Sequence, residues 1–177
     1  MRNYYDESDV GRVIEHLVER IRVAFHADEA FNIVGIRTRG EALAQRVART
    51  LQAAGYSQFG RGVLDITLYR DDLSEIGPRP LVHPTQLDIA IDGKPLLLID
   101  DVIFTGRSAR SALDLLADFG RPSAIRLATL VDRGGREIPI QPDFVGIVLS
   151  DVPRDHRVNV RLRETDGRDE ISVEPRT

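Results

Sequence analysis

The chain has 177 residues, a formal charge of −4 at neutral pH and no cysteine. That length fits one domain with a substantial core. The missing cysteines exclude disulfides, thiolate nucleophiles and Cys-ligated zinc, and the acidic balance argues against broad, non-specific attraction to nucleic acid. The start, MRNYYDESD, is polar and acidic. It lacks the basic and apolar regions of an export signal, and no later run approaches the ~20 apolar residues of a membrane helix. A cytoplasmic protein with no membrane partner is expected.

Ser8 and Asp9 stand before Val10, Val13, Ile14, Leu17, Val18 and Ile21, a spacing of threes and fours that predicts an amphipathic helix over about 9–26. Phe31 to Ile36 is a short apolar run ending in RTRG. Leu43, Ala44, Val47, Ala48 and Leu51 follow with helical spacing, and Gly55 stops them. Val63 to Tyr69 alternates as a strand does. Arg70 to Gln86 holds charges, Gly77 and three prolines without periodicity, which predicts a long mobile loop.

Asp92-Gly93 marks a turn, and Leu96 to Ile99 is wholly apolar, as in a strand buried on both faces at the centre of a sheet. The loop DDVIFTG then leads into a helix over Ser108 to Phe119, closed by Gly120 and Pro122. Ala124 to Val131 and Phe144 to Leu149 read as further strands. Val158 to Leu162 and Ile171 to Val173, flanking Asp166-Gly167, predict a hairpin. Alternating strands and helices imply an α/β fold with a mostly parallel, twisted sheet flanked by helices on both faces. Ligands bind such sheets outside the carboxyl ends of the strands, so RTRG and DDVIFTG should open on the same edge.

LLLIDDVIFTGRSARSALDLL carries the most chemistry. Thr105, Gly106, Arg107 and Ser108 place backbone N–H groups, two hydroxyls and a cation at the positive end of a helix dipole, which suits a phosphate monoester. Asp100 and Asp101 are acceptor-only groups suited to vicinal ribose hydroxyls or, through water, to a hard cation such as Mg²⁺. Singly, an acidic pair is an ordinary helix entry and Thr-Gly an ordinary turn. Their union with a buried strand within ten residues is what points to a sugar beside a phosphate. The Walker A and G-x-G-x-x-G patterns are both missing. His16, His26, His83 and His156 are scattered without metal-ligand spacing.

IDDVIFTGRS resembles the motif that binds phosphoribosyl pyrophosphate (PRPP) in type I phosphoribosyltransferases. GIRTRGEALAQRVA, LDITLYRDDLS, DFGRP and LVDRGGREIPIQPDFVG, in that order, resemble the PyrR family of pyrimidine operon regulators with uracil phosphoribosyltransferase activity. The match spans about residues 31 to 163.

The resemblance implies the type I phosphoribosyltransferase fold, one domain over 1–177 with a small hood built from terminal segments, including a hairpin at about 156–174. It also implies a lid loop at about 70–86, with Arg70 and Asp71 as lid candidates, and the reaction of uracil with PRPP to UMP and pyrophosphate with Mg²⁺ as cofactor. By the same resemblance Thr38 and Arg39 form a pyrophosphate loop. Asp100, Asp101, Val102, Ile103, Phe104, Thr105, Gly106, Arg107 and Ser108 bind ribose and 5′-phosphate, and Arg133 and Val158 lie near the base. Asp100, Asp101 and Arg39 carry catalysis, and the two aspartates hold the metal, through water. A homodimer or larger homo-oligomer is implied too.

Two other functions stay open at this point: a UMP-responsive regulator that binds a messenger RNA leader, and a phosphoribosyltransferase for another nucleobase. Against the first, regulators of this family usually show DRGHR where this chain has DRGGR, with Gly135 in the histidine's place. Glu15 and Glu19 stand where such regulators tend to carry Thr and His, and carboxylates repel phosphate. Arg61, Arg126 and Arg136 are the residues left for a substitute basic patch.

Overall fold

The computed structural model describes residues 4–67 and 85–176. Its elements are β1 (Tyr4–Tyr5), α1 (Glu7–Ala24), β2 (Phe31–Ile36), α2 (Arg39–Ala53), β3 (Phe59–Leu64), β4 (Pro95–Ile103), α3 (Arg107–Ala117), β5 (Ala124–Asp132), β6 (Phe144–Val148), β7 (His156–Arg161), α4 (Arg163–Asp166) and β8 (Glu170–Pro175). Five strands form a sheet in the order β3-β2-β4-β5-β6, and every pairing in it is parallel.

Leu96, Leu97, Leu98 and Ile99 are each at most 1% exposed, because β4 is the central strand and has helices over both faces. Leu97 and Ile99 join α1 and α2 in one core cluster; Leu96 and Leu98 join α3 in the other. Each such burial contributes about 1.5–3 kcal/mol against the exposed state. The two crossovers run in opposite directions across the sheet, β2-α2-β3 outward one way and β4-α3-β5 the other. Right-handed crossovers of opposite direction put their helices on opposite faces. The strand order therefore reverses between β2 and β4, and that switch opens a crevice at their carboxyl ends.

A second, antiparallel sheet of order β1-β8-β7 caps the first. Val160, Leu162, Ile171 and Val173 bury into the α1/α2 cluster, so this hood shares the main core. The expected hairpin is present as β7 and β8, joined through α4 and by Gly167 at φ +75°.

Three boundaries differ from expectation. Helix α1 begins at Glu7 because Asp6 is its N-cap: Asp6 accepts from the Asp9 backbone N–H at 3.0 Å while Asp9 accepts from that of Asp6 at 3.3 Å. This is a capping box with Asp in place of the usual Glu. The third strand is Phe59–Leu64, paired from Phe31↔Phe59 to Ile36↔Leu64, so it overlaps the expected 63–69 only at 63 and 64; 65–67 follow it outside any strand, and 68–69 lie outside the described residues. Asp100 and Asp101 belong to the end of β4, not to the loop that follows. The predicted lid, with Arg70 and Asp71, lies outside the described residues apart from its last two positions, where Gln86 bridges to Val63. Among the described residues no helix is long and apolar enough to cross a membrane.

Candidate active site

The crevice between β2 and β4 brings together both loops singled out in the sequence. After β2 the chain passes through Arg37 and Thr38, joined by a cis peptide bond, and enters α2 at Arg39. Gly40 makes the approach possible, since a Cβ there would stand 2.5 Å from the Ile99 carbonyl oxygen and 3.2 Å from the Asp100 Cα. The start of α2 thus rests on the end of β4 and sets Arg39 beside the acidic pair. Gly35 does the same from β2, where a Cβ would lie 2.6 Å from the Glu41 Cα.

Asp100 is buried at 9% exposure, and its Oδ1 accepts from the Asp101 backbone N–H at 2.9 Å. Asp101 is half-buried. Desolvation raises its carboxyl above the ordinary aspartate value, opposed by a hydrogen bond with Asp100 and by the charge of Arg39. Arg39 in turn donates from Nε at 3.0 Å and Nη2 at 2.6 Å to the two carboxylate oxygens of Asp166 in the hood. That pair raises the Arg39 guanidinium and holds the Asp166 carboxyl far below its usual range.

Val102 and Ile103 turn their side chains into the two core clusters, which leaves their backbone as what a ligand would meet. Past them, Gly106 caps α3 with φ +92°, a conformation that favours glycine, and a Cβ there would stand 3.0 Å from Ile138 Cγ1. The Thr105 hydroxyl accepts from the Arg107 N–H at 3.3 Å. The Thr105 carbonyl accepts from the N–H groups of Glu137 and Ile138 at 3.0 and 3.2 Å. Arg107 is exposed and paired with Glu137 at 2.9 Å, so its guanidinium here faces that carboxylate.

Arg133, just past β5, meets the segment that enters the hood, whose strand β7 carries Val158. Arg133 is 5% exposed and donates to the carbonyls of His156 at 2.9 Å and Pro153 at 3.3 Å, with its Cζ 3.8 Å above the Phe104 ring. Its Nε is buried without a partner among the described residues. Burial, reinforced by the nearby Arg176, lowers its pKa. Gly135, at φ +77°, leaves room for Phe104, because a Cβ there would come within 2.5 Å of Phe104 Cε2.

Arg136 is committed to structure. It donates to the Phe104 carbonyl at 3.0 Å, the Ile140 carbonyl at 2.9 Å, Asp132 at 2.6 Å and Gln141 at 3.0 Å. Arg126 pairs with Asp143 at 2.9 Å, and Arg61 stands on β3, in register with Ile33 of β2. These three arginines do not gather into one patch. Sequence reasoning missed Asp166, whose Asp-Gly pair reads only as a turn, and gave Gly40 no role; a Gly opening a helix straight after a strand was the available signal.

Among the described residues no group of three or more His, Asp or Glu side chains forms a metal cage. Two adjacent carboxylates near the end of a strand still suit Mg²⁺, which keeps several waters and takes one or two carboxylates together with substrate phosphates.

Comparison with known proteins agrees with this fold. A family model described as "Phosphoribosyl transferase domain" matches residues 1–160. "Bifunctional protein PyrR" of a Roseiflexus species is 48% identical over 164 residues, 92% of this chain and 88% of that protein. The protein of the same name from Thermus thermophilus is 47% identical over 167 residues, 93% of this chain and 91% of its own. In fold the chain is similar to a Bacillus anthracis hypoxanthine-guanine phosphoribosyltransferase, with TM-score 0.72 and 17% identity over 97% of this chain and 98% of that one. It is also similar to the enzyme of Leishmania tarentolae in complex with GMP, with TM-score 0.71 and 13% identity over 99% and 97%.

Proposed function

This chain belongs to the phosphoribosyltransferase family, in its PyrR branch, and from that membership we propose that residues 1–177 act as one domain, in the cytoplasm and as a homodimer or larger assembly, joining uracil to PRPP to give UMP and pyrophosphate. The observation that carries the site assignment is the juxtaposition, across one crevice, of the Arg39 loop, the Asp100–Asp101 pair and the Gly106 turn at the start of α3.

In this reading the 5′-phosphate sits against the backbone of Thr105 to Ser108, where N–H groups and the helix dipole favour a dianion. Asp100 and Asp101 hold the ribose hydroxyls. The bond from C1′ to the pyrophosphate oxygen breaks as the bond from uracil N1 to C1′ forms, and the N1 proton is released. Charge builds toward an oxocarbenium-like ribose, which the two carboxylates favour, while Thr38 and Arg39 receive the leaving pyrophosphate. Mg²⁺, held by Asp100 and Asp101 through water, would neutralise pyrophosphate charge. Arg133 and Val158 form the wall behind the base, with Phe104 clamped against the Arg133 guanidinium.

The test is an assay of the purified protein with PRPP, Mg²⁺ and each common nucleobase in turn, with UMP expected from uracil. Turnover of a purine alone would replace uracil as the substrate. A second reading, a UMP-responsive RNA-binding regulator, is favoured by the word "bifunctional" in the names of relatives matched over nearly the whole chain.

A further inference from the structure

Asp166 lies in none of the motifs, yet it fixes the side chain on which the pyrophosphate loop depends. Its carboxylate faces the Nε/Nη2 edge of Arg39 as a two-point pair, between residues 127 apart in sequence. The carboxylate is itself fixed, accepting from the Leu162 backbone N–H at 3.0 Å and the Thr165 hydroxyl at 2.5 Å. Helix α4 is moored to α2 alongside. Arg46 donates to Glu164 at 2.9 and 2.5 Å and to Asp169 at 2.7 Å twice, and Arg49 reaches Glu164 at 3.4 Å.

A free arginine side chain loses rotamer entropy when it is ordered. Pinning one edge of the planar guanidinium removes most of that cost before the ligand arrives. We propose that Asp166 is a positioning residue, clamping Arg39 by one edge so that its remaining donors are held toward the pyrophosphate group over the crevice. The inference rests on the reading of Arg39 as the pyrophosphate ligand.

The opposite arrangement, in which pyrophosphate must pull Arg39 away from a neutralising Asp166, fits the contacts less well. The Asp166 side chain is only 17% exposed, so displacing Arg39 would leave a largely buried carboxylate without its cation, which is costly. Gly40 packs the start of α2 against Ile99 and Asp100, which sets Arg39 beside the acidic pair while it is still held by the hood.

The experiment is calorimetry of magnesium pyrophosphate binding, with steady-state kinetics, on the parent, Asp166→Asn, Asp166→Glu and Glu164→Gln. Asp166→Asn is expected to weaken pyrophosphate and raise the KM for PRPP by about tenfold, with the KM for uracil within about twofold. Asp166→Glu, which keeps the charge, should recover part of the loss and carries the test should the Asn variant not fold. Glu164→Gln removes a neighbouring mooring and should lower Tm without the selective change. Pyrophosphate affinity equal to or tighter than the parent's in Asp166→Asn, or the same loss in Glu164→Gln, would overturn the inference. Because calorimetry needs no turnover, a parent that binds pyrophosphate but makes no UMP would remove the uracil reading alone, and a parent that binds no pyrophosphate would remove both.

Discussion

The two loops that follow β2 and β4 at the crevice are held by different forces. Thr105 to Ser108 is fixed almost wholly by backbone: a left-handed glycine, a helix start and two N–H groups on the Thr105 carbonyl. The Arg39 loop has its backbone set by close approach at Gly40, but the Arg39 side chain is fixed by an ion pair from a distant element. Backbone devices leave local marks, and so Thr-Gly before a helical pattern could be read directly. An ion pair between residues 39 and 166 leaves none, because nothing in either segment announces the other until the hood folds over α2.

The largest expected effect breaks the half where both devices meet. A Cβ at Gly40 would stand 2.5 Å from a backbone oxygen of β4, and backbone cannot swing aside as a side chain can. Gly40→Val is therefore expected to cost about 3 kcal/mol of stability, checked by thermal and urea unfolding. A stability within error of the parent would mean that α2 does not rest on β4 as described.

Next is the purely backbone-held half. Gly106→Val should weaken UMP and PRPP binding by about 2 kcal/mol, since a β-branched residue resists positive φ and meets Ile138. Calorimetric UMP affinity equal to the parent's would place the phosphate elsewhere.

The two aspartates that flank Arg39 give the sharpest contrast. Asp166 is held low by Arg39, so it contributes stability that is present above its unfolded pKa and lost as pH falls through the folded value. Asp101 is raised by desolvation, so stability tied to its protonated form is present below its unfolded pKa and lost as pH rises through the folded value. Asp101→Asn is thus expected to be at least as stable as the parent at neutral pH while losing about tenfold or more in turnover. Asp100→Asn should lose a similar factor. The acid limb of kcat/KM for PRPP should lie above the ordinary aspartate range and change in Asp101→Asn. Unchanged kinetics in both variants would remove the acidic pair from the mechanism.

What the sequence disclosed follows the same division. The central strand was legible because it is buried on both faces and so uninterruptedly apolar, and the turn that opens α3 was legible because a glycine just before a helical pattern marks a left-handed cap. The strand Phe59–Leu64 was misplaced because FGRGVL, with two glycines and an arginine, carries no period-2 pattern; its register comes from β2. Val102 and Ile103 fell inside the family motif, yet their side chains are core, a distinction that needs the packed sheet.

The smallest expected effect is a preference for RNA near one, and it tests whether this edge of the sheet has a further use. The DRGGR segment and the residues after it buttress the Phe104–Gly106 turn. Arg136 donates to the Phe104 carbonyl, and the N–H groups of Glu137 and Ile138 hold the Thr105 carbonyl. Arg136 gives four of its five N–H donors to two carbonyls, Asp132 and Gln141, and its charge is already paired with Asp132, which leaves little of it for a phosphate. Gly135 offers no side chain, and the volume one would need is filled by Phe104. On α1, Glu15 and Glu19 are exposed; Glu15 adds like charge toward a polyanion, and Glu19 takes up the charge of Arg22 at 2.7 Å. At ~0.15 M salt, attraction between separated surface charges is largely screened, so only a dedicated site would discriminate. Filter-binding titrations, with and without UMP, are expected to show a pyrimidine-operon leader RNA bound no better than an unrelated RNA of equal length. Nanomolar, UMP-enhanced affinity for the leader would show that other exposed arginines supply the contacts, and that the same crevice, once occupied by UMP, governs a second surface.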